Sequence, residues 1–167
     1  MYKRQLHDQS LFAALRELVP TMKLETSYRA SGDDLATVIS NAFYGGTNAH
    51  VPWAGSFLGH PSVALDVVEE GHGMPDPSTG IVEGVEAEVR AAVSHVIDHA
   101  VSRPAESLMV LTASAVHASK VHEALALAVA AKPDIAEFFT KDSREPFVVV
   151  TLDQAGALTR DRVIFSV

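Results

Sequence analysis

Apolar residues recur at helical spacing in four segments of the chain. The spacing predicts helices over about residues 9–18, 33–44, 85–101 and 115–131. The third has the clearest pattern, because Val89, Ala92 and Val96 fall on one face of a helix. Each of the four segments is followed by proline or glycine, which is typical of the place where a helix ends.

The segments between the helices contain candidate strands. Residues 22–26 and 62–68 read as short strands, and residues 107–112 and 146–152 are nearly continuous apolar runs. Residues 162–167 read as a last strand, whereas 45–61 and 70–80 read as loops. Strands that alternate with helices are typical of parallel β-α-β units. The pattern therefore predicts an α/β fold with a mainly parallel sheet of about five strands and flanking helices.

Composition narrows the class of protein. The chain has 167 residues, of which 47% are apolar and none is cysteine. This length and apolar content predict a single folded domain over residues 1–167 and exclude global disorder. The lack of cysteine excludes disulfides, thiolate zinc sites and cysteine catalysis. No apolar run is long enough to span a bilayer and no signal peptide is evident, so we expect a cytoplasmic protein without a membrane partner. Because the sequence stops on an apolar strand, we also expect a fragment of a longer protein.

The net charge of −8 is unevenly distributed along the chain. Residues 41–102 hold one basic and eight acidic side chains, whereas both ends are close to neutral. The overall charge argues against a generally basic nucleic-acid-binding surface. It does not exclude a local groove formed by residues outside the acidic segment.

Ligands of open parallel sheets bind at the carboxyl ends of the strands, so the polar residues that follow each strand are candidates for a site. They are Ser27, Tyr28, Arg29, Thr112, Ser114, His117, Thr151, Asp153 and Gln154. An arginine beside a helix N-terminus is suited to contact phosphate. The alternative interpretation is that these are ordinary loop residues.

Other chemistry is poorly supported. The chain has neither a phosphate-binding loop of the Gly-x-x-x-x-Gly-Lys-Ser/Thr type nor a dinucleotide-binding Gly-x-Gly-x-x-Gly, so alone it should not hydrolyse ATP. His95 and His99 are four residues apart, but no third ligand follows at a recognisable spacing, and we interpret them as surface or partly buried histidines. No metal site is predicted. The aromatic residues between 43 and 57 are expected to pack the loop rather than to stack on bases.

Four ordered segments resemble the second RecA-like domain of superfamily 1 DNA/RNA helicases of the Upf-one-like branch. Residues 24–29 read Leu-Glu-Thr-Ser-Tyr-Arg, and after a helix residues 41–46 read Asn-Ala-Phe-Tyr-Gly-Gly. Residues 83–89 are similar to the family's Glu-Ala-x-x-Val helix start, and residues 108–114 to the strand that ends in Thr-Pro-Tyr. Residues 149–166 resemble Val-x-Thr-Val-Asp-x-x-Gln-Gly-x-Glu-x-Asp-x-Val-Ile-x-Ser. The resemblance covers about residues 20–167.

The resemblance implies a RecA-like three-layer sandwich that forms part of an ATP-dependent helicase. Arg29 would be the catalytic residue that reaches the γ-phosphate, and Tyr28, Asp153 and Gln154 would also bind the nucleotide. Thr112, Ser114 and Thr151 would hold the backbone of single-stranded DNA or RNA. The N-terminal RecA-like domain of the same protein would be the partner. ATP and Mg²⁺ would bind only in the full-length protein, so the isolated fragment is expected to be inactive and without a cofactor.

The sequence departs from the family pattern at two of these motifs. The family's glutamate in Gln-Gly-x-Glu is Thr159 here, and its Thr-Pro-Tyr is Thr112-Ala113-Ser114. Two alternatives therefore stay open. One is a catalytically degenerate RecA-like module that binds a protein, and the other is an α/β domain that binds a small phosphorylated ligand through Arg29.

Overall fold

The computed structural model describes residues 11–16, 18–28, 32–52, 55, 58–59, 61–69, 71–78, 80, 82 and 84–167, without the side chains of residues 12 and 14. The chain divides into two compact units, residues 1–66 and residues 67–167. Each unit is described by itself. The single-domain organisation expected over residues 1–167 stays a prediction.

The first unit contains helix α1 (Leu11–Arg16), strand β1 (Thr26–Ser27), helix α2 (Asp33–Tyr44) and strand β2 (Ala49–His50). The two short strands pair in parallel. Gly45 ends α2 in the left-handed conformation, with φ of 61°, and the N–H of Gly46 closes the last turn on the carbonyl of Ser40 at 2.9 Å. The predicted helix 33–44 is therefore confirmed. Helix α1 is described over Leu11–Arg16, and residues 9, 10 and 17 of the predicted helix lie outside the described residues. Strand β2 lies in a segment for which only a loop was predicted.

The side chain of Asp34 ties residues 62 and 63 to the first turn of α2. Its carboxylate accepts hydrogen bonds from the backbone N–H of Ser62 at 2.8 Å, from the Ser62 hydroxyl, and from the N–H of Val63 at 3.3 Å. These donors, first among them the Ser62 hydroxyl, lower the pKa of Asp34 from 3.8 to about 2. The strand predicted over 62–68 is wrong, because these residues pair with no other strand in the described chain and Leu65 is 88% exposed.

We expect Asp34→Asn to make the unfolding free energy depend less on pH in the acidic range. The folded-state pKa of Asp34 lies below its unfolded value, so this carboxylate stabilises the fold above about pH 4 and loses that contribution as the pH falls towards 2. The difference in unfolding free energy between wild type and Asp34→Asn should therefore shrink across this window. Denaturant titrations followed by circular dichroism at several pH values measure it. Asp98→Asn, on the exposed side of a helix in the second unit, is the control, and the same pH-dependent difference in that variant would contradict the assignment.

The second unit is built on a three-stranded sheet with two long helices. Its elements are helix α3 (Glu86–Ser102), strand β3 (Leu108–Thr112), helix α4 (Ala115–Ala131), a 3-10 turn (Pro133–Ile135), helix α5 (Ala136–Thr140), strand β4 (Val148–Thr151), a second 3-10 turn (Leu152–Gln154) and strand β5 (Arg162–Ser166). The strand order is β4-β3-β5, and both pairings are parallel. The helices and strands predicted for residues 85–167 are thus confirmed to within about two residues at each end.

The core of this unit lies between one face of the sheet and helices α3 and α4. Leu108 and Val110 are alternate residues of β3, so their side chains lie on the same face of the sheet, against the helices. They are 1% and 0% exposed. They meet the face of α3 that the sequence pattern predicts. The buried cluster comprises Val89, Ala92, Val96, Ile97, Ala100, Leu108, Val110, Val121, Leu125, Ile135 and Val149.

His99 belongs to this packing rather than to a metal site. Its Nε2 lies 3.0 Å from the carbonyl oxygen of Glu106, and its ring meets Phe138 edge-on with the ring centroids 5.6 Å apart. The residue is 6% exposed, whereas His95 on the same helix is exposed. His95 thus lies at the surface, as expected, whereas His99 is more deeply buried than the sequence predicts.

The structure bears out the fold class in part. The described chain is mixed α/β with parallel strands. The strands form one sheet of two and one of three, rather than the single sheet of about five that the sequence predicts.

Candidate functional site

The predicted nucleic-acid-binding residues lie at the carboxyl end of the three-stranded sheet. Thr112 and Thr151 are the last residues of β3 and β4 and are register partners across that pair. Thr112 is also the partner of Ser166, the last residue of β5. Three hydroxyl-bearing residues therefore end three adjacent parallel strands, where open α/β sheets bind ligands.

Thr112 is fully buried and shapes the loop after β3. Its exposed fraction is 0%, and its Oγ1 donates a hydrogen bond to the carbonyl oxygen of Ser114 at 2.9 Å. The hydroxyl proton is thus already used. Thr112 can influence a ligand mainly by fixing the backbone of Ala113 and Ser114.

Ser114 is the N-cap of helix α4. Its Oγ accepts the backbone N–H of His117 at 3.1 Å, and its backbone is extended with φ of −132°. A serine hydroxyl that accepts one bond still has its proton to donate. The side chain is half-buried, so it forms part of the accessible surface at the start of a 17-residue helix.

Thr151 and Gln154 form a capping box after β4. The Thr151 side chain accepts the N–H of Gln154, and the Gln154 Oε1 accepts the N–H of Thr151 at 3.3 Å. Like Ser114, Thr151 keeps its hydroxyl proton for another acceptor. Asp153 lies in the same 3-10 turn and is exposed.

His117 is the most buried titratable group at this end of the sheet. It is 2% exposed, its Nε2 lies 2.7 Å from the Oγ of Ser166, and its Nδ1 is buried without a partner among the described residues. Burial lowers the pKa of His117 below its ordinary value, Lys120 adds to that shift and Glu88 opposes it. The imidazole is therefore neutral at neutral pH.

The pairing of His117 with Ser166 could not be found from sequence. The two residues are 49 positions apart, and the only sequence signal is a hydroxyl-bearing residue near the end of an apolar strand pattern.

A cavity of about 420 Å³ opens beside the N-terminus of α4. Gly84 forms part of its wall and has a φ of +65°, a conformation that favours glycine. The Lys120 Nζ donates to the Gly84 carbonyl at 2.7 Å and lies 3.5 Å from the Glu86 carboxylate, which holds this turn against α4. The lining residues are Val82, Gly84, Val85, Glu88, Ala113, Ser114, His117 and Val167.

The predicted nucleotide-binding residues of the first unit are only partly described. Arg29 lies outside the described residues. Tyr28 follows β1 and is 80% exposed. A small cavity of about 80 Å³ is lined by residues of β1, α2 and β2, and the buried Oδ1 of Asn48 beside it has no partner in the described part of the chain.

The loop packing expected for the aromatic residues is not seen for Phe43 and Tyr44. Phe43 and Tyr44 are 79% and 53% exposed. Trp53 and Phe57 lie outside the described residues. For the ranges that the structure describes, no group of three or more His, Asp or Glu side chains could hold a metal ion, and no helix is long and apolar enough to cross a membrane.

The comparisons with known proteins give no relative for this chain. No protein family matches it. No curated protein and no solved structure matches it either.

Proposed function

We propose that this chain is the second RecA-like domain of a superfamily 1 helicase-like ATPase. In this role it completes an ATP site with Arg29 and holds single-stranded nucleic acid at the carboxyl end of the three-stranded sheet. The observation that carries the proposal is the pair of hydroxyls on Ser114 and Thr151. Thr151 ends β4 and Ser114 follows the neighbouring parallel strand β3, and both hydroxyls accept a local backbone N–H.

This hydrogen bonding favours a ligand that accepts hydrogen bonds. Each hydroxyl accepts one backbone N–H and keeps its proton to donate. The first turn of α4 adds backbone N–H groups that no carbonyl of the helix can satisfy. A phosphodiester backbone offers acceptor oxygens along its length, and hydroxyl contacts of this kind hold a strand without reading its sequence.

The charged side chains near these hydroxyls favour weak rather than strong binding of phosphate. Asp153 is exposed beside Thr151, and Glu88 lies at the cavity next to Ser114. Lys120 is the nearby cation, and it is already paired with Glu86. We therefore expect the chain alone to bind single strands with modest affinity and shallow salt dependence, because few counterions are released.

The backbone at Ala157 is a second support for the resemblance. Ala157 is the one described residue other than glycine with a positive φ, at 65°. Alanine rarely adopts this conformation, which costs about 1–2 kcal/mol in the absence of glycine. In the resembled motif Gln-Gly-x-Glu, position 157 is the glycine. The loop thus has the conformation that the family's residue at this position would favour.

The nucleotide side of the proposal uses the first unit. Tyr28 is exposed immediately before Arg29, so its ring is available to pack on a nucleotide base. Arg29 would stabilise the charge that develops on the transferred phosphoryl group. The N-terminal RecA-like domain would supply the phosphate loop and the Mg²⁺ ligands that this sequence lacks. Asp153 and Gln154 stay predicted nucleotide contacts.

We expect Ser114→Asp with Thr151→Asp to weaken single-strand binding strongly. Aspartate is also a good N-cap, so both turns should persist, while each new carboxylate repels a phosphate. Fluorescence anisotropy with a labelled single-stranded oligonucleotide should show affinity at least about tenfold weaker than wild type, the usual order for losing charge-assisted contacts.

Ser119→Asp with Thr140→Asp is the matched control, because it adds the same two charges on exposed helical positions whose hydroxyls bond to carbonyls one turn back. Equal losses in the two double variants would mean general repulsion and would reject the groove. A wild-type chain that binds no single strand would also reject it.

A further inference from the structure

The cavity beside α4 has walls of opposite electrostatic character. Glu88 contributes a carboxylate, which only accepts hydrogen bonds. The opposite wall carries the positive partial charge of the N-terminus of α4, a 17-residue helix that begins after Ser114. Val82, Val85 and Val167 supply apolar surface between these groups. The volume of about 420 Å³ falls within the range of small-molecule sites.

His117 is an independent indication that the cavity takes a polar ligand. The residue lines the cavity, is 2% exposed, and its Nδ1 has no partner in the described chain. Buried polar atoms are nearly always paired, so the unpaired Nδ1 calls for a partner, which a ligand or a water in the cavity can supply. Since Nε2 is occupied by Ser166, a ligand that reaches this wall can offer Nδ1 its missing bond.

These walls select against a charged ligand. Glu88 repels an anion, and the N-terminus of α4 repels a cation. A neutral ring with hydrogen-bond donors on one edge and acceptors on another satisfies both, and its faces suit the valines. A nucleobase with an exocyclic amino group has this arrangement, and the amino group of cytosine is a known donor to carboxylates.

We infer that this cavity receives one unstacked base of the bound single strand and prefers bases with an exocyclic amino group, which Glu88 accepts. The inference rests on the proposed function, because the strand that delivers the base is the one held by Ser114. The backbone contacts then provide affinity without sequence preference, and the cavity adds a preference at one nucleotide. Lys120 would support this preference indirectly by holding the Gly84 turn in place.

The test compares two labelled single strands of equal length, one of deoxycytidine and one of deoxythymidine, in anisotropy titrations of the 167-residue chain at neutral pH. Thymine presents a carbonyl oxygen where cytosine presents its amino group, so we expect about fivefold tighter binding of the cytosine strand. In Glu88→Gln the amide can donate as well as accept, and the ratio should fall to about one.

Glu123→Gln, exposed on α4 and absent from the cavity wall, removes the same charge and should keep the preference. Equal affinity of wild type for both strands would overturn the base-binding cavity while leaving the proposed groove intact. A preference that survives Glu88→Gln would overturn it as well. Failure of both strands to bind would reject the proposed function, and the cavity assignment with it.

Discussion

Leu108→Ala is expected to lower the unfolding free energy of the second unit by about 2–5 kcal/mol. Leu108 is 1% exposed, lies on the central strand β3 and packs among α3 and α4. Removing three side-chain carbons there leaves a void that neighbouring strands, held in register on both sides, cannot close. Denaturant titration followed by circular dichroism measures the loss.

Leu127→Ala is the matched control for this substitution. Leu127 is on α4 and is 75% exposed, so the same atoms are removed from water-accessible surface. The expected change is within about 0.5 kcal/mol of zero, as for most surface substitutions. If the two variants lost similar stability, the core assigned to β3, α3 and α4 would be wrong.

Arg29→Ala is expected to slow ATP hydrolysis by about a thousandfold in the complete ATPase to which the proposal assigns this chain. Arginines that reach the transferred phosphoryl group contribute factors of about 10³–10⁵ to turnover. The isolated 167-residue chain should show no turnover, with or without single-stranded nucleic acid, because it has no phosphate loop. Release of phosphate over time measures both rates.

Arg90→Ala is the control, since Arg90 is exposed on α3 and the substitution removes the same charge. Circular dichroism of both variants shows whether the fold is retained. An unchanged rate in Arg29→Ala would remove the catalytic role from that residue. Turnover by the isolated chain that survives Arg29→Ala would reject the proposal that this chain only completes a site.

The sequence predicted elements best where a long apolar segment has a clear end. Helix α4 was predicted over 115–131 and has these bounds, and the buried strand β3 differs by one residue. In both, long apolar runs can be satisfied only by burial, and Pro133 marks the end of the helix. Such local signals fix the elements of the second unit.

The first unit was predicted less well because its strands depend on long-range pairing. Residues 62–68 are rich in apolar residues and read as a strand, yet Asp34 holds Ser62 by side-chain bonds instead of a sheet ladder. Strand β2 has only two residues, Ala49 and His50, in a segment rich in loop-forming residues. Hydrogen-bond partners of this kind are set by tertiary contacts, which local propensity does not encode.

The candidate site was found in part by the rule that ligands bind at strand carboxyl ends. That rule selects Ser114 and Thr151, which the parallel register brings to one edge. It also selects Thr112, but burial and a local hydrogen bond leave its hydroxyl no proton to donate. Ser166 and Glu88 escaped notice, because their position at this edge depends on strand order and helix packing.

The left-handed backbone at Ala157 is a conformation that glycine would adopt at lower energy than alanine. Replacing a glycine by alanine in such a conformation raises the energy of the folded state by only about 1–2 kcal/mol. Contacts elsewhere can offset that amount, so the loop can keep its path after the motif residue has changed. Under the proposed RecA-like assignment, the φ angle at position 157 matches the glycine of the resembled motif although the residue itself differs, so the backbone angles along residues 155–161 test that assignment independently of residue identity.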